Sequence, residues 1–246
     1  KTHYETIAGV RTYTPYETQI LALNPIAYYP CSDKGQSVND ITNNGFGMSD
    51  PGGGTSYEQT SPDPGQIGTA NAIYFDGINN KMGAEHAVLP AGTDTISFEC
   101  WFDYQNGITT VDDPRVIMRL RNDPGGDVLQ IYEIISATTL NTTVGPGSGA
   151  STGALNYGVT DRGRFNHICV TATATKRLVY INGVLVSEGL GYASGGILNE
   201  LKASLGGAHP DEVTIYRSAG YYQHYAIYDF ELTPAQVLAN YNLGLD

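Results

Sequence analysis

What this chain has little of narrows its class first. Charged residues fill only 15% of 246 positions, and 13 Lys and Arg stand against 25 Asp and Glu, a formal net charge of −12. That balance repels a phosphate backbone and no basic cluster offsets it, which excludes nucleic acid as a partner. No apolar run approaches the roughly 20 residues of a membrane-spanning helix, and the opening KTHYETIAGVRT lacks the apolar centre of a signal peptide, so no membrane insertion is expected. Cysteine is scarce. Cys31, Cys100 and Cys169 are an odd, widely spaced set with no C-x-x-C, which argues against zinc or a disulfide framework and for small buried hydrophobes. The five His residues fall at no metal-ligand spacing. A G-x-S-x-G nucleophile elbow is missing too: Gly147-Ser148-Gly149 lies in a Gly-rich loop with no strand-to-helix turn. Acidity on this scale suits solubility first and hard cations second. Asn141-Thr142-Thr143 is a glycosylation sequon, relevant only in a eukaryotic secretory pathway.

What is present points to strands. Gly (30) and Tyr (18) are abundant, and short apolar segments are punctuated by Gly, Pro and Asn, the pattern of a sandwich or barrel. Residues 164–188 are the most legible. Two β-branched runs, 178–181 and 184–187, flank Asn182-Gly183, the pair that a two-residue type I′ turn requires. That turn predicts pairing of Ile181 with Val184, Tyr180 with Leu185, Val179 with Val186 and Leu178 with Ser187. Val179, Ile181, Val184 and Val186 then point to one apolar layer, and Leu178, Tyr180 and Leu185 to another that terminal helices or a neighbouring subunit would cover. Further strands are expected at 26–31, 72–75, 95–104, 115–120, 128–135, 167–172, 203–205 and 221–228. Over 95–104, Ile96, Phe98, Cys100 and Phe102 alternate with Ser97, Glu99, Trp101 and Asp103. Residues 37–68 read as a long excursion holding at most one or two short strands, and 145–153 as a flexible loop.

Two helices bracket the strands. Thr14-Pro15-Tyr16-Glu17 is a capping box with Pro at the first helical position, predicting a helix from Pro15 to about Leu23. Thr233-Pro234-Ala235-Gln236 repeats the pattern and predicts a second helix to about Tyr241. Ahead of the first, residues 1–12 read as an extended arm that must dock on something to be ordered.

In this order the elements resemble a laminin-G-like jelly roll of the concanavalin-A-like lectin/glucanase superfamily. Asn24-Pro25-Ile26-Ala27-Tyr28-Tyr29 is similar to the family's opening strand, Tyr74-Phe75-Asp76-Gly77 to its F-D-G strand end, and residues 96–101 to the strand carrying an acid then Trp. Residues 164–186 resemble the W-H-H-V-A-V-T strand and L-Y-V-D-G-V hairpin, with Phe165 for Trp and Asn182 for Asp; residues 226–243 resemble the terminal strand and helix. The resemblance implies an all-β, two-sheet antiparallel jelly-roll sandwich over residues 25–246, preceded by an arm and short helix at 1–24. The helix-then-strand lead-in is similar to that of tailed-phage virion domains. It implies a non-enzymatic module on a virion surface, as capsid decoration or tail protein, oligomeric in its assembly, joined to other virion subunits through the arm and binding host-surface glycans. A secreted or cell-surface lectin is the alternative, and a glycoside hydrolase of the glucanase branch the second.

That branch places E-x-D-x-E on one strand face to aim its carboxylates at a cleft. Here Glu99 and Asp103 share a face, with Trp101 where the middle acid should be, so catalysis is not expected. Calcium is the candidate cofactor, because relatives bind it through loop oxygens at the sandwich rim. Its candidate ligands are Asp40, Asn43 and Asn44 in the first loop and Asp76, Asn79 and Asn80 after the F-D-G strand, residues that also serve as turn formers. For glycan, the candidate platform is Tyr221, Tyr222, Gln223, His224 and Tyr225, with Tyr221 and Tyr225 on a shared face.

Overall fold

The terminal helices start where the capping pattern puts them. Thr14 and Thr233 hold extended backbone and accept the N–H groups of Glu17 and Gln236, whose side chains reach back to the N–H of each Thr. The two helices are α1 (Pro15–Ala22) and α2 (Pro234–Leu243). Asn24, at φ 55°, and Pro25 then turn the chain into its first strand.

The computed structural model describes residues 12–33, 35, 37–50, 55–60, 71–78, 82–104, 115–122, 126–134, 139–144, 157–158, 164–191, 200–207 and 217–245. In chain order the strands are β1 (Ala27–Tyr29), β2 (Ser37–Val38), β3 (Met48–Ser49), β4 (Thr55–Thr60), β5 (Asn71–Asp76), β6 (Met82–Ala84), β7 (Thr95–Tyr104) and β8 (Arg115–Asn122). Then follow β9 (Gly126–Ile134), β10 (Thr139–Val144), β11 (Tyr157–Gly158), β12 (Phe165–Thr173), β13 (Lys176–Ile181), β14 (Val184–Leu190), β15 (Leu201–Leu205) and β16 (Ala219–Tyr228). They form two antiparallel sheets. One runs β14-β13-β12-β7-β16-β5-β4, with β1 also on β16; the other runs β11-β10-β9-β8-β15-β6-β3-β2.

Where the expectation was one or two strands in residues 37–68, the structure has three, β2 to β4, and β6, β10 and β11 were not expected at all. Strands of two or three residues such as β2, β3, β6 and β11 are too short to show a period, while the six-residue β10, polar in sequence, is held by pairing between β9 and β11. The expected loop at 145–153 lies outside the described residues.

Between the sheets lies the main core. Ile96, Phe98, Cys100 and Phe102 of β7 meet Ile168, Val170, Val179 and Ile227 of their own sheet and Ile117, Met118, Leu120, Ala203 and Leu205 of the other. All three cysteines are free and buried, as small hydrophobes, and burial pushes their thiols up. A second apolar cluster forms on the outer face of the first sheet. There Tyr16 and Ile20 of α1 and Val237 of α2 pack on Trp101, Phe165, Leu178, Tyr180 and Tyr228. Each such side chain contributes roughly 1.5–3 kcal/mol by leaving water, so this layer anchors the helices.

The hairpin turns through Asn182 at φ 50° and Gly183 at φ 75°. Ile181 pairs with Val184 and Tyr180 with Leu185, but Val179 then faces Ser187 and Leu178 faces Glu188, because Val186 is an inserted bulge residue. The pairings expected for Val179 and Leu178 are thus one residue out. The expected inward placement of Val184 and Val186 also fails. Val184, Leu185 and Val186 are 61, 46 and 40% exposed, because β14 ends the sheet and runs past the core. Leu178 and Tyr180 are covered by the second layer as expected, and Leu185 is not.

A Cβ on Gly183 would lie 2.9 Å from Leu238 and 3.0 Å from Tyr241, both on α2, at a positive φ that disfavours L side chains. Gly183→Ala is therefore expected to destabilise the fold by about 1–3 kcal/mol, read as a lower urea midpoint. An unchanged midpoint would show that the turn does not press on α2.

Candidate functional site

The outward residues of β7 were the first chemical candidates, and they form a latch. Glu99 is fully buried. One carboxylate oxygen lies 2.8 Å from His167 Nε2; the other accepts the Tyr228 hydroxyl at 2.6 Å and the Asn240 amide at 2.9 Å. Burial, then the Glu99 charge, push the Tyr228 hydroxyl well above its ordinary range, so it stays a donor. Two residues before, Ser97 donates to Phe230 O at 2.6 Å and accepts Leu232 N–H at 2.9 Å, fixing the approach to α2. Two residues after, the Trp101 indole N–H donates to Tyr16 of α1 at 2.9 Å and its ring stacks on Tyr241 of α2 at 5.8 Å. Asp103 is fully buried as well. Alternation on β7 did put Glu99 and Asp103 on one face, but both are buried, Glu99 beneath α2, so neither carboxylate is exposed to a substrate.

The tyrosine-rich platform is corrected in most of its members. Tyr222, Gln223, His224 and Tyr225 are all fully buried, so no sugar ring can stack on them here. The cause is a bulge. Gln223 pairs with Trp101 and Ala226 with Glu99, leaving an extra residue around His224, whose φ is 53°. The bulge reverses the alternation, so Tyr221 and Tyr225 do not share a face: Tyr225 turns into the main core against Tyr29 and Phe98, with Tyr222. His224 points to the helix layer, where its Nδ1 lies 2.7 Å from the Tyr28 hydroxyl and its ring 4.6 Å from that of Tyr16. Gln223 donates to Asn71 O at 2.6 Å.

Tyr221 alone of that set is partly exposed, and the structure gives it a partner that sequence reading missed. Its ring lies 4.9 Å from Tyr74 of β5, tilted by 47°, and the two residues are paired across the strands. Tyr74 is also partly exposed. The signal was present in Asn71–Asp76: with Ile73 and Phe75 in the core, Tyr74 must face outward.

The calcium candidates act as turn formers. Asp40 accepts the N–H groups of Tyr28, Thr42 and Phe46 and the Thr42 hydroxyl, which uses both of its oxygens. Asn43 supplies a left-handed turn at φ 68°, and the Asn44 amide donates to Ile26 O. Asp76 accepts Ile78 N–H at 2.7 Å. Asn79 and Asn80 lie outside the described residues. Among the described residues no three His, Cys, Asp or Glu side chains come together as a metal group.

A lectin-like jelly roll is thus in view, and comparison with known proteins agrees. The chain belongs to the concanavalin A-like lectin/glucanases superfamily, whose laminin-G-type family model matches residues 75–238. A comparison with curated proteins returned no match. Among solved structures, a Trypanosoma rangeli sialidase in complex with a difluoro-KDN superposes at TM-score 0.66 with 12% identity, over 97% of this chain and 35% of the sialidase. The ligand-binding domain of botulinum neurotoxin serotype D, in complex with N-acetylneuraminic acid, gives 0.66 and 11%, over 89% of this chain and 50% of that one. Domain 4 of a Geobacillus stearothermophilus extracellular arabinanase, in complex with arabinotriose, gives 0.62 and 19%, over 89% and 98%. The chain spans about a third of the first sialidases it matches. At these identities the likeness is one of fold, and the fold serves lectins and glycosidases alike.

Glu99→Ala removes one member of a dry, four-residue cluster and leaves His167, Tyr228 and Asn240 with a lost acceptor. A loss of about 3–5 kcal/mol is expected from denaturant unfolding; a loss below about 1 kcal/mol would show that the cluster does not hold α2.

Proposed function

We propose that this chain is a non-catalytic glycan-binding module carried on a virion surface. The observation that carries the non-catalytic part is the full burial of Glu99 and Asp103, where neither can meet a glycosidic oxygen. A retaining or inverting hydrolase needs two carboxylates flanking a bound sugar, and the two acids that share the β7 face are both out of reach of one. Support for sugar binding comes from the family and from fold neighbours whose structures hold a sialic acid or an arabino-oligosaccharide. Function is not fixed by fold; the burial of the acids is what tilts the reading from hydrolysis to binding. Support for a particle role comes from the likeness of the helix-then-strand lead-in to tailed-phage virion domains, together with β14. This strand ends its sheet with Val184, Leu185, Val186 and Leu190 exposed, the kind of apolar edge that assembly covers. The arm expected at residues 1–12, of which 1–11 lie outside the described residues, would be what reaches a neighbouring subunit. A secreted or cell-surface lectin is the second reading, and the arm separates the two.

On a glycan array the full chain is expected to bind with and without calcium, and to release no product from oligosaccharides. Hydrolysis abolished by Glu99→Gln would overturn the non-catalytic reading, and an array blank under both conditions would overturn the lectin reading. Removing residues 1–12 is expected to prevent incorporation into particles while leaving glycan binding intact; full incorporation of the shortened chain would sink the virion role of the arm.

A further inference from the structure

We propose that Tyr74 and Tyr221 form the stacking floor of a saccharide site on the outer face of the first sheet, and that this site takes an uncharged sugar. The inference rests on the glycan-binding reading above and gives it a place and a ligand class. Three observations meet there. First, the two rings are neighbours at 4.9 Å with a 47° tilt and both are partly exposed, whereas Trp101, Tyr28 and Tyr228 on the same face are buried. A tilted aromatic pair offers a shallow angled surface to the C–H face of a pyranose or furanose, and rings of this kind bury large apolar area with little entropy to lose.

Second, polar groups of the right type stand beside the rings. Ser56, paired with Tyr74, is exposed, and Gln59, paired with Ala72, is partly exposed; both pairings place β4 residues on the Tyr74 side of the sheet. The Gln59 amide is held by its donation to Tyr57 O at 2.8 Å, which fixes a planar group near the rim. Hydroxyl and amide groups beside aromatic rings are what a sugar requires, since its edges need hydrogen bonds while its face needs a ring.

Third, the charge is negative. Asp76 follows Tyr74 by two residues on the same strand face, and after burial and Tyr221 its carboxylate helps raise the Tyr74 hydroxyl. With a chain net charge of −12, the carboxylate of a sialic or uronic acid would be repelled at this position. The site is therefore suited to neutral sugars, unlike the sialic acid held by the neurotoxin domain of the same fold.

The test uses the full chain on an array carrying neutral and acidic glycans, followed by titration of the strongest neutral ligand into wild type, Tyr74→Ala, Tyr74→Phe and Tyr221→Ala. The expected result is binding to neutral glycans, a roughly ten-fold loss of affinity for Tyr74→Ala and little change for Tyr74→Phe, which keeps the ring. Tyr74 lies on the outer face beyond the core, so Tyr74→Ala remains informative even if Tyr221→Ala fails to fold. Wild-type binding that survives Tyr74→Ala, or that is confined to acidic glycans, overturns this site and leaves the lectin reading standing. No binding to any glycan removes both.

Discussion

A dry carboxylate organises the outer half of this molecule. Taking an ion such as Glu99 from water costs several kcal/mol, and the cost is offset only when its lone pairs are met by well-placed donors. The donors here come from three elements: His167 from β12, Tyr228 from β16 and Asn240 from α2. None can be displaced without leaving a buried polar group unsatisfied, so the position of α2 over the sheet is specified and not merely favoured. Trp101 and Ser97 extend the same logic along β7. One reaches α1 through Tyr16, and the other holds the segment that enters α2 through Leu232. Alternate residues of one strand therefore tie both chain ends to a common surface.

That arrangement has a chemical cost, since the strand face on which a glucanase arranges its acids is used here to seat helices. Glu99 on this face is held by structural bonds, and Trp101 beside it is covered by the helices. Among the described residues, the partly exposed rings on this face are Tyr74 of β5 and Tyr221 of the adjoining β16. Function is thus steered by where the second layer stops.

The parts of this fold that were legible in the sequence are those with a local cause. The capping boxes at Thr14 and Thr233 close within three residues, the Asn182-Gly183 turn needs only its own two dihedrals, and the alternation of β7 repeats every second residue. The second contact layer over Leu178 and Tyr180 was also legible, because a ribbon apolar on both faces demands two covers. The candidate site was not. Its reading depended on carrying the alternation through β16, and a single inserted residue at His224 reversed it. Nothing local announces that bulge, since neither Gln223 nor His224 is a residue that favours positive φ as glycine does; it is held by distant groups, the Tyr28 hydroxyl and the Tyr16 ring. Asp40 was ambiguous in the sequence for a related reason. A loop acid is equally suited to cations and to backbone N–H groups, and only the fold shows that Tyr28, Thr42 and Phe46 have taken it.

The exposed edge strand β14 and the Tyr74–Tyr221 pair lie toward opposite sides of one sheet. From β14 to β5 the order is β14-β13-β12-β7-β16-β5, five strand spacings, or roughly 24 Å at about 4.8 Å each. Between them sits the helix layer, anchored to β7 and β16. A neighbour seated on β14 would therefore touch neither Tyr74 nor Tyr221, and a saccharide at the tyrosines would not reach the hairpin. The proposed assembly edge and the proposed saccharide site would thus not compete for the same surface. Because each is then limited to a modest surface, high avidity for a glycan would come from many copies held in one array more than from a single deep pocket.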